Sequence, residues 1–150
     1  MLTEEIERPP WTKDYDAEPG NRPVDWVERF DTGKWSVVSV FEEAHRLGGA
    51  VMAHDTAGVL TLENRADLAM VWDIRVLPER RRDGIGSLLF PHLLAWAQAR
   101  GCAVLKIETQ NINVPACKFY KKMGCRLGQV KRDADPDFPG EIELDWYRTI

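Results

Sequence analysis

The amino-acid sequence predicts an α/β fold with a parallel β-α-β unit at its centre. Residues 70–76 are rich in apolar and β-branched side chains and predict a strand. Apolar residues recur at helical spacing between residues 85 and 100, and residues 102–109 predict a second strand. Two strands joined by a helix of this length form a right-handed parallel pair. These three segments are therefore expected to form the core of the sheet.

The helix predicted over residues 85–100 has a stop signal and one anomaly. Gly101 follows it, and glycine easily adopts the left-handed conformation that ends many helices. Pro91 lies inside it, where proline removes a backbone hydrogen bond and costs about 3 kcal/mol in a straight helix. We therefore expect a kink or a loosened turn at Pro91.

Further elements flank the β-α-β unit. Pro23 and Pro115 each favour the start of a helix, at the position that proline tolerates best. The loop at 133–140 contains two prolines and is expected to rim a pocket. In chain order, the other predicted elements are a helix at 24–30, a strand hairpin at 35–41 and 48–54, an extended connection at 58–62, a helix at 116–123 ended by Gly124, and strands at 126–131 and 141–147.

Length and composition restrict the class of protein. The chain has 150 residues, of which 44% are hydrophobic and 29% charged, so residues 1–150 are expected to form one globular domain. Its first residues lack the pattern of a signal peptide and no apolar run would span a membrane, so a cytoplasmic protein without membrane contact is expected. The net charge of −4 argues against nucleic-acid binding. The three cysteines and three histidines lack metal-ligand spacing, so no metal is expected.

The negative charge is concentrated near the N-terminus. Residues 1–31 contain nine acidic and four basic residues, whereas the rest of the chain has a net charge of +1. Such a segment helps to attract a cationic substrate, or it is simply a solvated terminus. Residues 1–23 are polar and rich in proline and are expected to be loop-like, with Trp11 and Tyr15 tying them to the rest of the protein.

The turn before the central helix, at residues 79–87, predicts an anion site. Gly84 and Gly86 let a ligand approach the backbone without a Cβ in the way, and the first helical turn presents unpaired N–H groups. A phosphate is the expected ligand, although such glycines also form plain turns and arginines also form solvated faces. The arginines of this turn are Arg80, Arg81 and Arg82.

A second motif accompanies this turn. Residues 113–124 read Asn-Val-Pro-Ala-Cys-Lys-Phe-Tyr-Lys-Lys-Met-Gly. Together with the pattern Arg81-x-x-Gly84-x-Gly86, this stretch resembles the two hallmark motifs of the GCN5-related N-acetyltransferases. Both motifs occur in the family's order, and the resemblance covers about residues 71–125.

The resemblance has a narrower form and two departures. Residues 108–117 also resemble the streptothricin acetyltransferase branch of the family. Cys125 stands where the family usually has Phe, which is expected to alter core packing more than chemistry. The family's usual N-terminal strand and paired helices are poorly represented, so either the substrate wall is reduced or Met1 is not the natural start.

The resemblance implies a fold and an activity. The implied fold is a mixed, mostly antiparallel central sheet with a splayed parallel β-α-β core and flanking helices. The implied activity is acetyl transfer from acetyl-coenzyme A to a primary amine of a small molecule, by direct attack through a tetrahedral intermediate. A protein or peptide N-acetyltransferase and a noncatalytic acyl-CoA-binding module stay open as alternatives. Whether the protein forms a homodimer also stays open.

The resemblance also implies which residues hold acetyl-coenzyme A. Backbone groups of Ile74 and Val76 would bond the pantetheine arm between the splayed strands, and the backbone of residues 81–87 would hold the pyrophosphate. Asn113 would bond a pantetheine amide. The implied cofactor-binding residues are Ile74, Val76, Arg81, Arg82, Asp83, Gly84, Ile85, Gly86, Ser87, Asn113, Ala116, Phe119 and Tyr120.

Three residues are candidates for the chemical step. An alkylammonium has a pKa of about 10.4, so a base or a water chain must remove its proton. Asp73 and Glu108, on the two predicted parallel strands, are the candidate bases, although salt bridges with Arg75 or Lys106 are an equally ordinary role. Tyr120 is the candidate acid for the departing thiolate, although an aromatic residue on a short helix is by default part of the core.

Overall fold

The computed structural model describes residues 13–150, whose strands form one six-stranded sheet. The strands are β1 Ser36–Glu42, β2 His45–His54, β3 Leu68–Val76, β4 Val104–Gln110, β5 Arg126–Arg132 and β6 Ile142–Thr149. Their order across the sheet is β1-β2-β3-β4-β6-β5. The pair β3 and β4 is parallel and the other four neighbouring pairs are antiparallel. This confirms the predicted mixed sheet with a parallel core.

Within residues 13–150 the sheet is accompanied by three α-helices: α1 Pro23–Arg29, α2 Ile85–Gln98 and α3 Val114–Lys122. Helix α1 begins at the predicted proline, and the Asp25 carboxylate accepts a hydrogen bond from the Arg22 backbone N–H at 3.2 Å. Helix α2 connects the two parallel strands and continues through Pro91, which is exposed. The chain then turns at Gly101, where φ is 75°.

Two sequence expectations need correction. Strand β2 begins at His45 rather than residue 48, because Glu43 takes a left-handed conformation, with φ 54°, and closes the hairpin earlier. Residues 58–62 are not an extended connection, since Leu60–Leu62 forms a 3₁₀ turn. In that turn Leu62 is buried, at 2% exposure, whereas Leu60 is 84% exposed. In an extended segment these two residues would lie on the same face and differ much less in exposure.

The described part of the N-terminal segment lacks long elements. Residues 1–12, and with them Trp11, lie outside the described residues. Within residues 13–22 the only helical piece is the 3₁₀ turn Tyr15–Ala17. Across residues 13–150, no helix combines the length and the apolar character needed to cross a membrane.

The two faces of the sheet are covered differently. Helix α2 packs Leu89, Phe90 and Leu93 into the main core on one face, the helix face. On the opposite face, Trp26 of α1 meets Trp72 of β3 with ring centroids 6.2 Å apart, and Trp72 packs against a second apolar cluster that contains Leu68 and Met70. This second cluster covers only part of that face, and the rest of it carries charged side chains.

Candidate active site

The parallel strands β3 and β4 separate at the middle of the sheet. Residues 68–71 pair with residues 104–107, and the parallel pairing ends there although both strands continue. Opposite this point the register between β2 and β3 shifts between Val51 and Met52, so Trp72 is an extra residue in β3. Because a bulge increases local twist, it favours the divergence of β3 from β4.

Backbone groups of β3 face the resulting gap. The Leu77 N–H donates to the Leu47 carbonyl of the β2 side at 2.9 Å. In an antiparallel pair, the residues whose backbone groups face the partner strand alternate with residues whose groups face away. The N–H groups of Ile74 and Val76 therefore point away from β2 and into the gap. This is the orientation that the sequence resemblance implies for them.

The predicted anion site forms at the start of α2. Gly84 is the N-cap, with φ 80°, and its carbonyl accepts the first helical hydrogen bond, from Leu88 N–H at 2.9 Å. The N–H groups of residues 85–87 precede that bond and lie at the positive end of the helix dipole. The backbone of this turn is therefore arranged to receive an anion.

Glycine is favoured at residues 84 and 86 of this turn for two different structural reasons. A Cβ at Gly84 would meet no atom within 4 Å, so it is the left-handed φ of 80° that favours glycine there. A Cβ at Gly86 would lie 3.1 Å from the ring of Phe119. The interpretation that both glycines keep space open for a ligand is therefore incomplete, because Gly86 also makes room for helix α3.

The arginines around the turn are not equivalent. Arg80 donates to Glu42 at 2.8 Å and to Asp83 at 2.8 Å, and these two bonds raise the pKa of Arg80 above its usual value. Arg81 and Arg82 are exposed, and Arg82 has a left-handed φ of 71°. Arg80 is thus fixed to the protein, whereas Arg81 and Arg82 extend into solvent beside the turn.

Helix α3 carries the second sequence motif and packs beside α2, whose start carries the first. The Asn113 carboxamide oxygen accepts a hydrogen bond from Ala116 N–H at 3.3 Å and so caps the helix. Phe119 packs edge-on against Phe90 of α2, with ring centroids 6.0 Å apart. Tyr120 is 5% exposed and lies 6.4 Å, ring to ring, from Trp146 of β6.

Asp73 lies beyond the point where the strands separate and takes part in an ion-pair chain. Arg75 Nε is 2.9 Å from an Asp73 carboxylate oxygen, and Arg75 Nη1 is 2.7 Å from Asp16. These bonds to Asp16 and Asp73 raise the pKa of Arg75, so the guanidinium stays charged. The salt-bridge role considered for Asp73 in the sequence is therefore present.

Glu108 lies on β4, also beyond the separation, and its carboxyl group has a raised pKa. Burial raises the pKa of Glu108 to about 7, and the negative charges of Glu143 and Asp145 add to the rise. The Glu108 Oε2 atom is buried and has no hydrogen-bond partner among the described residues. A carboxyl group with this pKa exchanges its proton readily near neutral pH.

The acidic neighbours of Glu108 are compensated by lysines. Glu108, Glu143 and Asp145 each place an oxygen within 4.8 Å of the others, a spacing that metal ions also use. Lys106 Nζ and Lys131 Nζ lie 3.1 Å and 3.0 Å from the fully buried Asp145 carboxylate. The positive charge at this cluster thus comes from the protein itself, and the absence of a metal stays a prediction.

An acidic pocket opens beside Glu108. It has a volume of ≈ 200 Å³, and the loop between β5 and β6 forms one side of it, which confirms the predicted role of that loop as a rim. Four of its lining residues are acidic and none is basic. Its lining residues are Glu108, Gln110, Ala134, Asp135, Pro136, Glu141 and Glu143.

Comparison with known proteins agrees with this arrangement. The sequence profile of the acetyltransferase (GNAT) family matches residues 2–125. The chain belongs to this family. The predicted family and enzyme class, an N-acetyltransferase, are thereby confirmed, as are the implied sheet and its splayed centre.

Individual GNAT relatives cover the chain to different extents. Streptothricin acetyltransferase A of Bacillus subtilis (strain 168) is 29% identical over 140 residues, which are 91% of this chain and 79% of the relative. The ribosomal protein bS18-alanine N-acetyltransferase of Escherichia coli (strain K12) is 31% identical over 74 residues, 49% of this chain and 50% of the relative. A Bacillus anthracis protein described as a streptothricin acetyltransferase, solved with acetyl coenzyme A, superposes with a TM-score of 0.67 at 25% identity, over 76% of this chain and 61% of that one.

The GNAT motifs did not point to the acidic pocket or to the two lysines that bind Asp145. The signal was nevertheless present at β6 and the residue before it, where acidic residues alternate at Glu141, Glu143 and Asp145. Alternate residues of a strand share one face, and the register places Glu108 opposite Asp145 and Gln110 opposite Glu143. The alternation of acidic residues could therefore have predicted that one side of this strand is charged. It could not have predicted which strand would lie next to it.

Proposed function

We propose that this GNAT-family protein transfers an acetyl group from acetyl-coenzyme A to a primary amine of a small cationic molecule. The observation that carries the proposal is the acidic pocket beside the splayed strands, with Glu108 in its wall. A cationic amine is attracted to such a pocket, and a carboxylate of suitable pKa lies where its proton must leave. The relatives that act on streptothricin support a small-molecule acceptor.

The residues at the gap and the turn fit acetyl-coenzyme A. The N–H groups at the start of α2 suit the pyrophosphate, with Arg81 and Arg82 able to reach a further phosphate. The backbone N–H groups of Ile74 and Val76 suit the pantetheine arm, and Asn113, whose oxygen caps α3, keeps its amide nitrogen as a donor. Ala116 and Phe119 would pack against that arm.

The chain's own groups account for the chemical step. Acetyl-coenzyme A supplies the acetyl group as a thioester. Glu108 accepts the proton of the bound ammonium, which leaves the amine free to attack the carbonyl carbon. The strand backbone at the gap stabilises the negative charge that develops on the carbonyl oxygen. Tyr120 donates a proton to the departing thiolate, so coenzyme A leaves as the thiol, and Tyr120 regains a proton from the nitrogen, which loses its second proton as the amide forms.

Asp73 is a second candidate base. It lies on β3, whereas Glu108 lies on β4 across the gap, but the Asp73 carboxylate is already occupied by the ion pair with the Arg75 guanidinium. We therefore assign proton removal to Glu108 and a positioning role to Asp73, which together with Asp16 fixes Arg75 at the end of β3.

The proposal is tested by measuring thiol release with acetyl-coenzyme A and a panel of amines. The panel contains small polyamines, streptothricin and peptides with a free N-terminal alanine. Activity on the small cationic amines, and its loss by about 10²- to 10⁴-fold in Glu108→Gln with unchanged coenzyme A affinity, are expected. Activity confined to the peptides would overturn the choice of acceptor.

Two other functions predict different results. A peptide N-acetyltransferase, favoured by the alanine N-acetyltransferase relatives, would release thiol with the peptides alone. A noncatalytic acyl-CoA-binding module would bind coenzyme A and release no thiol with any amine. In that case Tyr120→Phe would change nothing, whereas the proposed acid role predicts a fall in kcat.

A further inference from the structure

The chain's own Lys13 occupies a site built for an ammonium group. Its Nζ lies 2.8 Å from Glu141 Oε2 and 3.4 Å from Glu18 Oε1. The same nitrogen lies 3.8 Å from the centroid of the Phe138 ring. The Lys13 side chain is 9% exposed, so these contacts are largely shielded from water.

The chemistry of these contacts is that of alkylammonium recognition. Carboxylates neutralise the charge, and an aromatic face attracts a cation within about 6 Å of its centroid. Such contacts are stronger when water is excluded from them. The combination selects a compact cation rather than a neutral or anionic group.

This ammonium site is continuous with the acidic pocket. Glu141 lines the pocket and binds Lys13 at the same time. On β6 the register places Asp145 opposite Glu108, four residues after Glu141. At about 3.3 Å per strand residue, roughly 13 Å of backbone separates Glu141 from the level of Glu108 in the sheet. The side chains of Glu141 and Glu108 can approach more closely than this.

Lys13 belongs to a short segment that is held at both ends. We call residues 13–20 the N-terminal strap. Besides the contacts of Lys13, Asp16 bonds Arg75 at 2.7 Å and the Gly20 carbonyl accepts from Arg29 at 3.2 Å. The strap can therefore release Lys13 from Glu141 while Asp16 and Gly20 keep it on the protein.

We propose that the contacts around Glu141 and Phe138 form a second cation subsite, which Lys13 fills until a diamine or polyamine acceptor displaces it. One ammonium group of the acceptor lies at Glu108 and is acetylated, and the other takes the place of the Lys13 ammonium. This inference rests on the proposed small-amine acetyltransferase function and adds the requirement for two separated cationic groups. Lys13 then acts as an internal competitor that selects against acceptors with a single charge.

The test compares octamethylenediamine with octylamine as acceptors at saturating acetyl-coenzyme A. Removal of the competitor in Lys13→Met is expected to lower KM for the diamine about 5- to 20-fold, since apparent affinity rises with the fraction of free subsite. KM for octylamine should change less than about twofold, because it lacks the second cation. Lys13→Arg should behave like the wild type, and Glu141→Gln should raise KM for the diamine alone.

The controls separate this inference from other effects. Lys34→Met removes a lysine that is ion-paired with Asp55 away from the pocket, and should leave both KM values unchanged. An equal fall for both amines in Lys13→Met would indicate a general charge effect and overturn the subsite. An unchanged or higher KM for the diamine in Lys13→Met would show that Lys13 has only a structural role and does not compete with the acceptor.

Failure of the proposed function gives a different result from failure of the subsite. If the wild type acetylates both amines and Lys13→Met leaves their KM values unchanged, the subsite is wrong and the function stands. If no amine is acetylated, calorimetry of diamine binding to the wild type and Lys13→Met still tests the subsite. Tighter binding of the diamine, but not of octylamine, to Lys13→Met is then expected, and equal binding would overturn it.

Discussion

At the scale of single residues, Glu108 owes its pKa to its neighbours as well as to burial. Glu143 and Asp145 raise the pKa of Glu108, while Lys131 and Lys106 lower it. Burial would lower the pKa of Lys131, but its hydrogen bonds to Glu143 and Asp145 raise it overall, so Lys131 stays charged. The set of opposing charges holds the pKa of Glu108 near neutral instead of pushing it to an extreme.

Neutralising Glu143 should therefore shift the pH dependence of catalysis. The general base must be ionised, so kcat/KM rises with pH through the Glu108 pKa of about 7. Glu143→Gln removes a nearby negative charge, which lowers that pKa and moves the acidic limb to lower pH by about 0.5–1 unit. The measurement is the pH profile of kcat/KM, with the exposed Glu28→Gln as control. A shift to higher pH would contradict the assignment of Glu108.

Substitutions in the turn before α2 can distinguish binding of the cofactor by backbone N–H groups from binding by arginine side chains. Replacing Gly84 with Val strains a left-handed φ, and replacing Gly86 with Val pushes against Phe119. Both changes displace the N–H groups, so coenzyme A should bind at least about tenfold more weakly, a loss of about 1.4 kcal/mol. Arg80→Ala should cost less than about threefold, since Glu42 and Asp83 already hold that guanidinium. Calorimetric titration with coenzyme A compares the variants, and equal losses would make the arginines the anchor.

At the scale of elements, local signals predicted the structure better than long-range ones. The strand, turn and helix around residues 70–100 followed from apolar periodicity and glycine, which depend on neighbours in the chain. The acidic pocket depends on the pairing of β4 with β6, and its residue Glu141 is bound by Lys13 of the N-terminal strap, so these features join residues far apart in sequence. The contact between Gly86 and Phe119 could not be predicted either, because it requires the packing of α2 against α3.

Helix α3 permits a test of the two roles of Asn113. Asn113→Ala removes the N-cap acceptor and should cost about 1 kcal/mol, lowering Tm by about 2–4 °C. Asn113→Asp keeps a cap acceptor and should restore Tm, but it lacks the amide donor proposed to bond pantetheine. Coenzyme A should therefore bind both variants more weakly than the wild type. Thermal melts and calorimetry measure the two effects, and wild-type affinity in Asn113→Asp would leave Asn113 with the capping role alone.

At the scale of the whole molecule, the distribution of charge matters more than its total. The net charge of −4 is modest, yet four carboxylates line one pocket while three arginines surround the cofactor turn. The proposed sites thus lie on different elements, the cofactor at the start of α2 and the cationic acceptor in the pocket between β4 and the loop before β6. The single domain over residues 1–150 and the cytoplasmic location stay predictions from the sequence. Whether the protein forms a homodimer stays open.

This separation of charge predicts a selective response to salt. Salt screens exposed charges, with a Debye length of about 10 Å at 0.1 M, and a divalent cation loses more attraction than a monovalent one. With acetyl-coenzyme A kept saturating, KM for octamethylenediamine should rise by about threefold or more between roughly 0.05 and 0.5 M NaCl, and KM for octylamine by clearly less. Steady-state kinetics at several salt concentrations provide the measurement, and Glu141→Gln should reduce the difference between the two amines. Identical salt dependence for both amines would mean that the pocket binds the acceptor through its apolar chain, and the acidic lining would then have no role in selecting it.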